Sequence, residues 1–430
     1  MDYGVLGKTG LRVSILGFGC GNVGGLMIRG ESGDRVHAVA RAIEAGINYF
    51  DTAPLYGDGQ SERNLGQVLN ELGAAVYVGT KVRLAPTELK EEEMKFGLMH
   101  DFRNPAPWFR PYSELYQLLL DQCVRAEELG YNNIWLTEHH FSGDYNPAPL
   151  HAATAIAART GRIRIGTFVL LLPFYHPVRV AEDVAFVDNL SNGRFDLGVG
   201  QGYRVDEFSG FCIPRKERSA RLTEGLDLIR RLWTEDKVTF EGKFTRIKDV
   251  HIQPEPLQKP HPPIWIGART EKAMERAARE GYHLHLTLGP DWAPLYYELL
   301  KKHGRNPADF YTSQLHFVYI APTADEAWED IQEQAHWMMQ VYDSWFKTSG
   351  DVPGDERLWE IKEAKDIRHS PYAQTWMVGT PDQVARKVEA FTKTSSCTHF
   401  VMGMQIPGVD PAKGTRSMEL FAKEIMPAFR

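Results

Sequence analysis

Apolar runs alternate with amphipathic stretches along almost the whole chain, the pattern left by strand and helix units laid around a parallel sheet. One polar, acidic stretch interrupts it, Thr87-Glu88-Leu89-Lys90-Glu91-Glu92-Glu93, and Met94-Lys95-Phe96-Gly97-Leu98-Met99 then reads as a fresh first strand. The interruption predicts two domains, residues 1–88 and residues 94–430.

The second part supplies eight strands, near Lys95 to Met99, Asn133 to Thr137, Ile163 to Leu171, Arg194 to Gly200, Pro263 to Gly267, His283 to Leu286, Leu315 to Ile320 and His399 to Met404. Helical stretches fall between them, among them Tyr112 to Leu129, Val178 to Asn189, Arg218 to Trp233, Thr270 to Glu280 and Asp382 to Thr392. This alternation predicts an α/β fold, a (β/α)8 barrel of the TIM type. The longest insertions are Gly202 to Pro214 and Lys237 to Pro262. In such barrels the loops after the strand C-termini carry the chemistry, so residues just past each strand matter most.

The first part reads as a hairpin turning at Lys8-Thr9-Gly10, a strand at Val13 to Leu16 and a helix from about Asp34 to Ala45. Strands near Ile47 to Asp51 and Ala75 to Lys81 follow, with a helix starting near Ser61 between them. Three such strands cannot close an eight-stranded barrel, and their bare sheet edges predict that the segment docks on something.

Composition narrows the class. With 43% hydrophobic and 24% charged residues, the 430-residue chain is that of a soluble globular protein, which excludes disorder. A net charge of -7 attracts neither phosphate backbones nor anionic lipid, so nucleic acid and membranes are poor partners. Four scattered cysteines without a CxxC pair exclude a disulfide framework and a structural zinc site, and fit a reducing, cytoplasmic setting. The start lacks a basic region followed by an apolar run, and no stretch approaches the ~18 apolar residues of a membrane span.

Candidate chemistry lies past three strands. After the second comes Glu138-His139-His140-Phe141. Neighbouring side chains on extended backbone point to opposite faces, which argues against both histidines ligating one metal ion, and no metal is expected. A buried, satisfied histidine and a mouth histidine acting as acid or base near neutral pH both stay open. After the fourth strand, Gly198-Val199-Gly200-Gln201-Gly202-Tyr203 either lets a flat ligand approach the backbone or serves a tight turn. After the fifth, Gly267-Ala268-Arg269-Thr270 opens a helix whose N–H groups, hydroxyl and guanidinium suit a phosphate, or is an ordinary threonine cap.

From about Met94 to Arg430 the chain resembles the bacterial luciferase-like flavin monooxygenases. The matching segments are Ile134-Trp135-Leu136-Thr137-Glu138-His139-His140-Phe141, Leu172-Pro173-Phe174-Tyr175-His176-Pro177-Val178-Arg179 with Glu182-Asp183, Leu190-Ser191-Asn192-Gly193-Arg194-Phe195, Val378-Gly379-Thr380-Pro381 and Ile425-Met426-Pro427-Ala428-Phe429. The resemblance implies reduced FMN at the C-terminal mouth, O2 as co-substrate, a small organic substrate, a separate flavin reductase and a homodimer. It maps the catalytic histidine onto His139. The cofactor lining maps onto Glu138, Phe168, Gly200, Gln201, Gly202, Tyr203, Gly267, Ala268, Arg269 and Thr270. The light-emitting members carry a cysteine and an arginine at the positions of Gly200 and Gln201, and a hydroxyl residue at that of Ala273. The missing cysteine argues against light emission, and the missing arginine passes the phosphate's counter-charge to Arg269 or Arg204. The same family includes enzymes that use the deazaflavin F420 for hydride transfer, which stays as the alternative. A non-catalytic flavin-binding protein is a third reading.

In the first part, Gly19-Cys20-Gly21-Asn22-Val23-Gly24 matches GxGxxG, but about ten residues pass before the helix at Asp34, whereas a dinucleotide fingerprint opens its helix directly. The stretch over residues 3–83 instead resembles the start of the aldo-keto reductases, through Gly7-Lys8-Thr9-Gly10-Leu11, Leu16-Gly17-Phe18-Gly19, Gly46-Ile47-Asn48-Tyr49-Phe50-Asp51-Thr52-Ala53, Tyr56-Gly57 and Thr80-Lys81-Val82. That family sets an aspartate, a tyrosine and a lysine at successive strand ends, matched by Asp51, Tyr56 and Lys81. Its histidine and its NADPH-holding strands have no counterpart here. The expectation is an inert fragment that caps the barrel, mediates assembly or is a relic of gene fusion.

Overall fold

A computed structural model of the chain describes residues 1–7, 9–21, 25–53, 56–57, 59–80, 94–287, 289, 291–350, 361–370 and 373–429. The chain divides into two compact units, Met1–Glu91 and Glu92–Arg430.

In the second unit eight parallel strands close a barrel. They are β1 (Lys95–His100), β2 (Asn133–Leu136), β3 (Arg164–Thr167), β4 (Phe195–Gly200), β5 (Ile264–Gly267), β6 (His283–Leu286), β7 (Thr312–Ile320) and β8 (His399–Gly403). Each pairs with the next, and β8 pairs with β1 to complete the ring. Strand side chains alternate between two faces, so one set meets the helices and the other fills the barrel. Phe96, Leu98, Ile134, Leu136, Leu197, Val199, Ile264 and Ile266 share one core with Leu119, Val184 and Leu226 of the surrounding helices.

The barrel interior holds Trp135 and Trp265, their ring centroids 5.2 Å apart, with the His285 ring stacked on Trp265 at 4.6 Å. Neighbouring strands yield space for these rings. A Cβ at Gly97 would lie 2.9 Å from Trp135 Nε1, one at Gly166 would collide with the Trp135 ring, and one at Gly198 would collide with the Thr167 carbonyl.

The third strand is broken. It ends at Thr167, the Phe168–Val169 peptide is cis, and a short strand, Leu170–Leu171, then pairs with Val199 and Gly200. The 237–262 insertion carries an antiparallel hairpin, Val238–Glu241 with Arg246–Val250. After β7 come a helix, Ala324–Ser349, and a strand, Met377–Gly379, paired with the end of β7. Sequence patterning misses both. The strand spans only three residues, and the helix buries a stripe of Ala327, Ile331, Ala335, Met338 and Met339.

The first unit has an antiparallel pair, Tyr3–Val5 with Arg12–Ser14, and a parallel sheet of Phe18–Gly19, Tyr49–Asp51 and Tyr77–Gly79. Helices Ser32–Glu44 and Gln60–Glu71 pack Val39, Leu65 and Val68 around Phe50 and Met27. A single helical turn, Leu26–Arg29, follows the glycine-rich segment before the long helix, nearer than the sequence predicts. Lys8, Asn22, Val23, Gly24, Lys81 and the acidic linker lie outside the described residues. Among the described residues no helix is long and apolar enough to cross a membrane.

Candidate functional site

The residues after β2 gather at the C-terminal end of the barrel, where His139 and His140 reach different carboxylates. His140 Nε2 lies 2.6 Å from Glu138 Oε1, which also accepts from the Tyr175 hydroxyl at 2.9 Å. Glu138 Oε2 accepts the Leu171 N–H at 2.9 Å. Glu138, expected against the cofactor, is instead fully buried with both oxygens committed inside the chain, where it positions His140 and the Leu170–Leu171 strand. His140, flanked by the rings of Phe141, Phe174 and Phe211, is the buried, satisfied histidine.

His139 is held differently. Its Nδ1 lies 2.8 Å from Glu207 Oε1, which also accepts the His140 N–H at 3.0 Å and faces Arg204 Nη1 at 3.4 Å. Burial pushes the Glu207 carboxyl up, but the hydrogen bonds from His139 and His140 and the Arg204 charge outweigh it and hold it below the usual carboxylate range. An ionised carboxylate only accepts, so Nδ1 is the nitrogen that donates to Glu207. Among the described residues Nε2 has no hydrogen-bond partner. The rings of Tyr145, Trp345 and Tyr203 stand 4.8, 4.9 and 5.6 Å from that of His139. A ring oriented through one nitrogen and open at the other is equipped to take and return a proton. Sequence reasoning missed Glu207, which the short helix Val205–Gly210 turns inward from an insertion of unreadable course.

Gly200, in the segment expected to bare the backbone to a flat ligand or serve a tight turn, and Gly267, in the segment expected to open a phosphate-suited helix, share one neighbour that excludes a side chain. A Cβ at Gly200 would collide with Val169, and one at Gly267 would come within 3.1 Å of Val169 Cγ1. The half-buried Val169 side chain therefore lies over both strand ends. Phe168 is buried with its ring 4.3 Å from that of His285. Gly202 sits at φ 72°, a left-handed conformation that favours glycine. Gln201 and Tyr203 are half-buried, and the Tyr203 ring lies 5.7 Å from Phe346.

Thr270 caps the helix Glu271–Glu280, its oxygen accepting the Ala273 N–H at 3.3 Å, and Ala268 is buried with its N–H on the His285 carbonyl. Of the two arginines considered for a phosphate, Arg204 is buried, donates to the His140 carbonyl at 2.6 Å and stacks 4.1 Å from the Trp345 ring. Arg269 is exposed beside the helix N-terminus, its Nε 3.0 Å from Thr287 Oγ1. Arg269, the Thr270 hydroxyl proton and the first-turn N–H groups form a donor set that fits a phosphate.

A second charged cluster follows β1, where Asp101, Phe102, Arg103 and Asn104 are all buried. Arg103 Nε donates to Asp144 Oδ2 at 2.6 Å, and the guanidinium lies 4.6 Å from the Tyr145 ring and 5.8 Å from that of Trp345, the same rings that flank His139. Sequence reasoning passed over this strand end, although the run Asp-Phe-Arg-Asn was its signal. Burial pushes the Asp101 carboxyl up to about 6, more than the Arg103 charge pulls it down. A raised folded value makes the ionised group a cost near neutrality that fades as pH falls through 6 toward the ordinary value. Asp101→Asn is accordingly expected to raise stability at pH 7 by about 1–3 kcal/mol, with the gain shrinking toward pH 4. Urea unfolding at several pH values checks this; a pH-independent effect would contradict it.

The bacterial luciferase-like monooxygenase profile matches residues 94–396, and an aldo/keto reductase profile matches residues 15–103. Over 337 residues the chain is 26% identical to the oxygenase component of a flavin-dependent trigonelline monooxygenase from Acinetobacter baylyi, covering 74% of this chain and 90% of that protein. An F420-dependent glucose-6-phosphate dehydrogenase from Microbacterium testaceum is 35% identical over 328 residues, covering 73% of this chain and 93% of that one. Among solved structures, the monooxygenase RslO1 from Streptomyces bottropensis superposes with a TM-score of 0.68 at 28% identity, covering 78% of this chain and 100% of that one. With its closed parallel barrel and a profile match over most of its length, the chain belongs to the luciferase-like monooxygenase family of oxidoreductase enzymes.

Proposed function

We propose that the barrel is a flavin-dependent monooxygenase that uses reduced FMN and O2 to oxidise a small organic substrate. The observation that carries this reading is His139, fixed by Glu207 and open at Nε2 among Tyr145, Tyr203 and Trp345. Reduced FMN, when bound, supplies the two electrons that let one O2 atom enter the substrate and the other leave as water. Arg269 and Thr270 hold the phosphate of that cofactor, and Val169 with Gly200, Gly202 and Gly267 forms the surface under its rings. Tyr203 and Trp345 exclude water from the reacting atoms. His139 Nε2 takes the proton released at the substrate and returns it as product leaves. The similarity to the trigonelline monooxygenase component and to RslO1 supports the reading. A separate reductase delivers the reduced flavin, the enzyme works in the cytoplasm as a homodimer, and the aldo-keto reductase-like unit carries no catalysis.

The 35% identity to the F420-dependent dehydrogenase favours one second reading, hydride transfer to F420 with His139 accepting the substrate's proton. Anaerobic titration with reduced FMN and with reduced F420, followed by admission of O2, separates the two. Preferential FMN binding with O2 consumption is the expected result. Preferential F420 binding without O2 consumption would move the enzyme to hydride transfer.

A further inference from the structure

We propose that this site takes a substrate bearing a carboxylate, gripped by Arg103 on the β1 side of the mouth; the inference rests on the barrel binding its substrate beside His139. The Arg103 side chain is entirely buried, and only Nε is committed, to Asp144. Among the described residues, Nη1 and Nη2 are both buried without a hydrogen-bond partner. Two unpartnered nitrogens on a buried cation are costly, and a planar oxyanion takes one N–H from each in a parallel fork.

The surroundings are built for such a ligand. Besides Tyr145 and Trp345, the rings of Trp337 and Tyr342 lie 5.2 and 5.7 Å from the guanidinium, so the arginine is held by ring faces that leave its hydrogen-bonding edge unsatisfied. Phe102, just before it, adopts φ 49°, a conformation costly for a bulky residue and retained where a side chain must be aimed. Arg103 also lines a small cleft with Asn104, Trp108, Gln405 and Gly408. The two nearby carboxyls do not fill the open positions, since Asp144 is on Nε and Asp101 accepts the Arg103 backbone N–H at 3.4 Å. Asp101, pushed up by burial, takes a proton readily as an anion arrives.

The oxyanion is the substrate's and not the cofactor's. Arg269 and Thr270 follow β5, four places around the eight-strand ring from β1, so the two anion-binding groups stand on opposite sides of the mouth. Tyr145 and Trp345 lie near both Arg103 and His139, so the guanidinium and the histidine share two aromatic neighbours.

The test is calorimetric titration of the full chain, without FMN or O2, with benzoate, its neutral counterpart benzamide, and inorganic phosphate. Because no turnover is read, its outcome stands apart from the fate of the monooxygenase reading. Benzoate is expected to bind at least about tenfold more tightly than benzamide, and Arg103→Lys to weaken benzoate by about tenfold or more with the circular dichroism unchanged. Arg269→Ala is expected to weaken phosphate and spare benzoate, which separates benzoate from the phosphate site even if the Arg103 variant does not fold. Equal binding of benzoate and benzamide, no benzoate binding at millimolar concentration, full retention in Arg103→Lys, or loss of benzoate in Arg269→Ala would each overturn the proposal. Phosphate binding that depends on Arg103 would assign the guanidinium to the cofactor instead, with the same result.

Discussion

Replacing His139 by alanine is expected to lower turnover by about 10² to 10⁴, the range for a lost acid–base group. The prediction rests on geometry: Glu207 occupies Nδ1 and orients the ring, and among the described residues Nε2 has no hydrogen-bond partner. Glu207→Gln keeps the shape but turns an obligate acceptor into a group that can also donate, so it loosens control of the tautomer and is expected to cost less than loss of the ring. Substrate-dependent O2 uptake is the measurement, with cofactor affinity titrated in parallel. Undiminished uptake in His139→Ala would remove that residue from the mechanism. A fall confined to cofactor affinity would recast it as a binding residue.

Trp135→Ala is expected to destabilise the barrel unit by about 3–5 kcal/mol. The indole is fully buried beside Trp265 and His285, and among the described residues its Nε1 has no hydrogen-bond partner, so the cost is packing alone. The void would be hard to repair. Gly97 and Gly166, which line it, have no side chains to move inward, and both backbones are fixed by strand pairing. Urea unfolding should show a lower midpoint for the barrel transition while that of the first unit stays in place. A loss under about 1 kcal/mol would mean that the interior collapses freely around the gap.

The barrel was legible because its outward strand faces are continuous apolar runs and its helices have long amphipathic periods. Each predicted strand of the second unit appears, displaced by no more than a few residues except where Phe168–Val169 interrupts the third. The site was legible only in part. His139 stood out because a histidine at a strand end is chemically conspicuous, whereas Glu207 and Arg204 enter from an insertion whose path depends on tertiary packing. The packing of Val169 against positions 200 and 267 was not legible, because a missing side chain does not disclose what occupies its space. Thr270 shows the reverse, since one hydroxyl caps its helix and keeps a proton to donate, so its two readings never excluded each other.

Val169 carries one more consequence. A planar ring resting over β4 and β5 meets hydrocarbon there, and dispersion forces respond to area and fit but scarcely to whether a ring position holds nitrogen or carbon. A floor of that kind is indifferent to the difference between a flavin and its deaza analogue. On the proposed reading, cofactor choice would fall to what lies at the edges of the rings and along the tail, where Arg269 and Thr270 would meet the charged end, and one barrel could change its redox partner without rebuilding its base.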